Sequence, residues 1–438
     1  MWLYRAMPAI SSLACHAYYR VRVEGGRVPE AGPVLLVANH TNSLIDPAMM
    51  VVAAGRTVRF LAKAPLFNHK LIGWLVRAVG SVPVYRGADD PKLVSQNFES
   101  FRDVHAALAD GYAIAIFPEG TSHSASRLQP LKTGAARIAL GAAERTGRAF
   151  PIVPLGLVFR DRRTFRSSAH VIVSASCAWD DLATRGPRDK EAVRELMRRI
   201  ETSMLEVTLN LHDWRDAQIV RCAERVWTAE FGPEAGPAPE ISRLKQATDA
   251  LGRLRLGADP AWRSVARELR AHDRVLQRLG LTPATLPANV STSDATRWVL
   301  RRLPLLLVLP LAVLGLALFW LPRELTGWAA ARASRAEGED TVPTFRVLYG
   351  VMIFTVWFLA LAIAASFILG ALGGLAVFLS LPLIGFGALF VGESRRFSWV
   401  ALRRFFVLRG QRDRIARLRQ RQRRLANRLR ELFAQSAS

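Results

Sequence analysis

The chain has 438 residues, half of them hydrophobic, and a formal net charge of +24. That length allows two or three domains, and that charge suits polyanionic surroundings such as anionic lipid, nucleic acid or acidic substrates. The three cysteines, Cys15, Cys177 and Cys222, have no C-x-x-C spacing, which argues against a disulfide framework and a zinc site and favours a reducing interior.

Residues 1–29 read as an N-terminal interfacial helix followed by a short strand, Val21–Val23. The apolar run is interrupted by Pro8, Ser11, Ser12 and His16, too short and broken to span a bilayer but able to lie on one. From Pro33 the pattern changes to short apolar strands, PVLLVANH, then Val58–Ala62, Ser81–Tyr85, Ala113–Phe117, Ile152–Phe159 and His170–Ala175. Helical stretches separate them, including 91–110 and Gly134–Thr146, so residues 30–185 are predicted to be an α/β domain. Residues 186–297 lack strand signals and show helical apolar spacing at Val193, Leu196, Met197, Ile200, Met204 and Leu205. They are predicted to be a helical appendage.

Residues 298–393 form the predicted membrane-embedded region. Three uncharged stretches, 303–321, 347–369 and 371–391, have the length of membrane helices. The last two are expected to pair as a hairpin around Gly370, Gly373 and Gly374. The first contains Pro304 and Pro310, and three full crossings would separate Arg297, Arg301 and Arg302 from the arginine-rich tail, so it is predicted to re-enter or dip into one leaflet. Residues 394–438 hold 14 arginines against Asp413 and Glu431. With Ile415, Leu418, Leu425, Leu429 and Leu432 on one side, they predict a basic amphipathic helix resting on anionic lipid.

Four constellations carry chemistry. In NHTNSLIDP, Asn39–Pro47, a strand delivers His40 into a turn, with Asp46 six positions later. A carboxylate can fix an imidazole's tautomer so that it acts as a general base, although the same residues also suit a helix cap and turn. In AIAIFPEGTSHS, Ala113–Ser124, Pro118 and Gly120 force a turn that puts Glu119, Thr121 and Ser122 at a strand's C-terminal edge, where α/β folds bind ligands. PLKTG, Pro130–Gly134, brings Lys132 to a helix start, with Arg127 near it. The stretch from Lys63 to Arg86 has a cation at each end, and either could meet an acidic acceptor. PIVPLGLVF, Pro151–Phe159, has a proline inside an apolar strand, which suggests an edge or bulge beside a pocket. No histidine pairs with another His or Cys at metal-ligand spacing, so no metal is expected.

Together the blocks NHTNSLIDP, Lys63–Arg86, FPEGTS and IVPLG resemble, in order, the glycerol-phosphate acyltransferase superfamily, the lysophosphatidate acyltransferase-like enzymes, over about residues 20–180. The interval between His40 and Asp46 is one residue longer than the family's usual four. That interval and the Ser122–His123 pair are most similar to the yeast-type branch acting on glycerol-3-phosphate or dihydroxyacetone phosphate. The resemblance implies an α/β acyltransferase domain with a mixed sheet flanked by helices, followed by the helical region and C-terminal membrane helices. It implies His40 as base, Asp46 as its partner, and Lys63, Arg86, Glu119, Gly120, Thr121, Ser122 and Lys132 around the acceptor. It further implies an acyl donor that is a thioester of coenzyme A or acyl carrier protein, a glycerol-phosphate acceptor, no other cofactor, and membrane lipids but no nucleic acid as partners. The expected location is a bacterial-type inner membrane with the catalytic domain cytoplasmic. The alternative is a non-catalytic lipid-binding scaffold retaining the fold.

Overall fold

The computed structural model describes residues 2–437 apart from 70–71, 86–96, 212–213, 233–238, 257–259, 287–295, 298–299 and 301–303. The chain divides into two compact units, Met1–Asn210 with Ser334–Val347, and Leu211–Ala333 with Leu348–Ser438.

The first unit is built on a seven-stranded sheet of β1 (Arg20–Gly25), β2 (Val34–Ala38), β3 (Val58–Lys63), β4 (Val82–Val84), β5 (Ala113–Ile116), β6 (Ile152–Phe159) and β7 (Ser168–Val173), in the order β1-β7-β6-β2-β5-β3-β4. Every neighbouring pair is parallel except β6 and β7, so the sheet is mixed. Parallel strands covered on both faces are apolar throughout, and alternate residues go to opposite layers. Leu35, Val37, Ile114 and Ile116 join α4 (Asn97–Ala109), α5 (Gly134–Thr146) and α6 (Lys190–Val207) in one core. Leu36, Ala38, Ala113 and Ala115 join α1 (Trp2–Tyr18) and α2 (Ile45–Ala54) in the other. A short helix, α3 (Gly73–Ala78), precedes β4.

Three sequence expectations are revised in this unit. β6 is an interior strand between β7 and β2, not an edge. Pro154 is tolerated there because the even-numbered residues of β6 turn their polar groups toward β7, and pairing with β7 begins only at Leu155. The proline's missing donor therefore lies just past the ladder, while its carbonyl still accepts from Ser174 N–H at 2.9 Å. The helical appendage does not begin at residue 186, since α6 buries Val193, Leu196, Ile200 and Met204 under the sheet. Asp189 caps that helix by accepting from the Glu191 and Ala192 amides. Gly156 permits this packing, because a Cβ there would lie 1.8 Å from the Val207 carbonyl oxygen. Finally, the N-terminal helix is not only a surface element. α1 buries Met7, Ser11, Cys15 and Tyr18 and leaves Trp2 and Leu13 exposed, while β1 is a strand of the main sheet.

The second unit combines a polar helical cluster with an apolar bundle. The cluster contains α7 (Trp214–Phe231), α8 (Pro239–Leu256), α9 (Pro260–Leu279) and the C-terminal helix α12 (Arg412–Ala437). Ile415, Leu418, Leu425, Leu429 and Leu432 of α12 are buried, and α12 packs on α7 and α9. Its Arg428 pairs with Glu268, and Gln422 donates to Glu230. The expected lipid-facing stripe is thus consumed by protein, because α7 and α9 present a complementary apolar face.

The bundle contains α10 (Pro304–Glu337) and α11 (Val342–Gly410). Two stretches, Leu309–Arg335 and Val342–Leu389, are long and apolar enough to cross a membrane. The 34 residues of α10 rise about 50 Å without reversal. The expected re-entrant turn in 303–321 is therefore absent from the described part of that helix. α11 reverses at Gly370, whose φ is 75°. A Cβ on Gly374 would lie 2.8 Å from the Ala362 carbonyl oxygen, a distance only two antiparallel arms can produce. Gly315 of α10 meets Ala388 and Ile384 of the second arm at similar range, and Trp357 donates to the Leu318 carbonyl at 3.0 Å. Small residues at the seam let these helices approach closely.

Candidate active site

The parallel strands β2, β5 and β3 end together at one sheet edge. From β2 the chain turns into His40, from β5 into Pro118–Gly120, and β3 ends in exposed Lys63. Asn39 prolongs β2 by pairing with both backbone groups of Leu157, at 2.7 and 3.1 Å. The following turn takes Ser43 to a positive φ of 43° before α2 begins at Ile45.

Asp46 lies in the first turn of α2 and is fully buried. Its Oδ2 accepts from the Thr41 and Asn42 amides, both at 2.6 Å, and lies 2.9 Å from His40 Nδ1. Two backbone amides at the start of the helix thus fix this oxygen as an acceptor facing the imidazole. A neutral His40 then donates Nδ1–H to Asp46, which leaves Nε2 as the nitrogen with a lone pair. The ring stacks on Phe117 at 3.9 Å between centroids and keeps 18% of its side-chain surface exposed. Held on one side and open on the other, it can take a proton from a bound hydroxyl.

Glu119 does not point into the site. It is 3% exposed; its Oε2 accepts from the His40 amide at 2.6 Å and its Oε1 from the Gln129 amide at 2.9 Å. His123 Nε2 lies 2.8 Å from that Oε1, while His123 Nδ1 accepts from the Ala125 amide, so Nε2–H is the donor. His123 N–H in turn donates to the His40 carbonyl at 3.1 Å. The FPEG turn is therefore laced to the backbone of His40. Gly120 adopts φ 76°, and the Lys132 side chain lies across it: a Cβ there would come within 2.6 Å of Nζ. Lys132 and Thr121 are exposed, and Ser122 is half-buried. Ser122 Oγ accepts from the Ser43 amide at 3.2 Å. Arg86 lies outside the described residues.

Several participants have no motif in the sequence. Arg162, beyond β6, donates to the Thr41 carbonyl at 2.5 Å and the His123 carbonyl at 3.3 Å; burial lowers its pKa, opposed by Asp46 and Asp340. Tyr19 is buried, receives a bond from Asn42 Nδ2 and donates to the Arg162 carbonyl, and burial raises its pKa. The run of arginines after Phe159 was the available signal for Arg162. Among the described residues no group of three or more His, Cys, Asp or Glu could hold a metal.

Residues 20–158 match the family model described as Acyltransferase, a span that holds His40, Asp46 and the FPEG turn. This stretch is an acyltransferase domain. An uncharacterized acyltransferase of Schizosaccharomyces pombe is 22% identical over 62% of this chain and 53% of its own length. Glycerol-3-phosphate O-acyltransferase 2 of Saccharomyces cerevisiae is 33% identical over 30% of this chain and 18% of its own. A chloroplastic 1-acyl-sn-glycerol-3-phosphate acyltransferase of Brassica napus is 29% identical over 34% of this chain and 40% of its own. The chain thus spans about half or less of these relatives. The domain's relatives fit the glycerol-phosphate acyltransferase superfamily.

Proposed function

We propose that the protein is a membrane-bound O-acyltransferase that moves a fatty acyl group from a thioester to a hydroxyl of a glycerol-phosphate acceptor, either glycerol-3-phosphate or its monoacylated form. His40 Nε2 removes the hydroxyl proton as the oxygen attacks the thioester carbonyl. The C–S bond breaks, an ester forms, and the departing thiolate takes the proton from the imidazolium. Asp46 holds the ring and stabilises the transient cation. Coenzyme A and acyl carrier protein are both acidic donors suited to a basic chain, and the chemistry needs no further cofactor because a thioester is already activated. Lys63, Thr121 and Lys132 at the sheet edge would meet the acceptor phosphate. The two apolar helices would anchor the domain at a bilayer of bacterial inner-membrane type, on its cytoplasmic side.

The observation that carries this reading is the 2.9 Å bond between His40 Nδ1 and buried Asp46, which leaves the opposite ring nitrogen available. The test is purified protein with labelled acyl-CoA, offered glycerol-3-phosphate and lysophosphatidate in parallel. One acceptor should be esterified, and His40→Ala should lower turnover by at least about 100-fold without altering expression or membrane association. Full turnover in that variant would remove the base. A wild-type chain that binds both substrates and esterifies neither would favour the lipid-binding scaffold.

A further inference from the structure

The segment Ser334–Val347 comprises the last turn of α10, the short link after it and the first turns of α11, yet it belongs to the first unit. Thr341, Thr344 and Phe345 within it are buried. Its contacts converge on the catalytic turn. Asp340 Oδ2 accepts from Ser122 Oγ at 2.5 Å, and Ser122 Oγ in turn accepts from the Ser43 amide. Thr344 Oγ1 accepts from the Leu44 amide at 3.2 Å. Arg346 donates to the Arg163 carbonyl, and Glu337 lies 3.4 Å from His69 Nε2.

Ser43 and Leu44 sit between His40 and Asp46, outside any regular element, and Ser43 has the left-handed φ that a non-glycine residue adopts only when its surroundings hold it there. Two successive amides of this turn therefore rely on hydroxyl acceptors, one fixed by Asp340 and one supplied by Thr344. Asp340 also lies near enough to Arg162 to stabilise its charge, and Arg162 bonds the Thr41 carbonyl in the same turn.

We infer that Ser334–Val347 is a positioning strap for the acyltransferase site, in which Asp340, through Ser122, and Thr344 hold the His40–Asp46 turn in its working geometry. These are positioning residues rather than catalytic ones, and the inference rests on the function proposed above. The strap ties the reactive turn to the sequence that joins the membrane helices, so the alignment of His40 depends on residues about 300 positions away. Small displacements of a catalytic group cost turnover steeply, on the order of 100-fold for 1 Å.

The test uses the full chain in lipid nanodiscs, with Asp340→Ala and Thr344→Val set against the conservative Asp340→Asn and Thr344→Ser, which keep an acceptor oxygen. Hydrogen exchange at the amides of residues 41–46 should quicken in the first pair and stay near wild type in the second. In parallel, kcat should fall roughly 10- to 100-fold in the first pair, with KM for the acyl donor unchanged and the unfolding midpoint retained. If Asp340→Ala does not fold, Ser122→Ala removes the same link from the other end. Unchanged exchange, or faster exchange with unchanged kcat, overturns the strap. So does a kcat loss that the conservative variants share. If the wild-type chain acylates no acceptor, the proposed function fails while the exchange measurement still decides whether the strap holds the turn.

Discussion

Glu119→Gln separates two roles for the FPEG carboxylate. In the structure this side chain is buried and accepts three hydrogen bonds, from the His40 amide, the Gln129 amide and His123 Nε2–H. Glutamine is isosteric but offers one acceptor oxygen and one NH2 group. Its better orientation keeps the oxygen toward Gln129 and His123 and sets the NH2 against the His40 N–H, donor against donor. One charge-assisted bond is lost outright and two are weakened, so the cost is about 2–4 kcal/mol. At roughly 2–4 °C per kcal/mol for a domain of this size, the thermal midpoint should fall by about 4–16 °C. Turnover should fall with it, because the residue released is the backbone of His40. The assay is thermal unfolding of the detergent-solubilised chain beside acyl transfer at several acceptor concentrations. A midpoint within about 1 °C of wild type, with only KM for the acceptor raised, would show that Glu119 faces the substrate and that the buried arrangement is wrong.

Gly156→Ala should destabilise the first unit by about 1–3 kcal/mol or block folding, because the new Cβ would strike the Val207 carbonyl where α6 ends; a denaturant midpoint measures it. His105 is half-buried against Gly141, and burial lowers its pKa. The unfolded chain therefore takes up its proton first on acidification, so stability is complete above about pH 6.5 and declines as pH falls below it. His105→Phe should flatten that acid limb in pH-dependent unfolding, and an unaltered limb would mean the imidazole is protonated in place. Because α11 reverses at Gly370, reporters at Ser334 and after Ser438 should lie on the same face of the membrane; opposite faces would refute the hairpin.

The α/β domain was legible because its strands and helices differ in apolar period. Gly134–Thr146 is legible because PLKTG marks its start, and in the structure the left-handed Gly147 caps its end. His40 and Asp46 were legible because they share one turn, so six residues of sequence hold their geometry. The role of Glu119 was not, since a carboxylate at a strand edge reads the same whether it faces a ligand or its own backbone. Arg162, Asp340 and Thr344 reach the site through long-range packing, and no local pattern marks that. Pro154 misled because the rule against proline in interior strands assumes a full ladder on both sides, and β7 begins pairing one residue later. The stripe on α12 misled for a related reason. An amphipathic face reports that something apolar covers it, and composition alone cannot distinguish lipid from the faces of α7 and α9.

The first unit is discontinuous in sequence, and that bears on how the molecule can be handled. A fragment ending at Asn210 keeps every recognisable motif and all seven strands, yet leaves the Leu44 amide without its acceptor and Ser122 without Asp340. Trimming the greasy helices to obtain a convenient soluble enzyme would therefore discard part of the site with them. A chimera that borrows its anchor from another protein would have to import residues 334–347 as well, since the catalytic sequence ends well past the place where its motifs do.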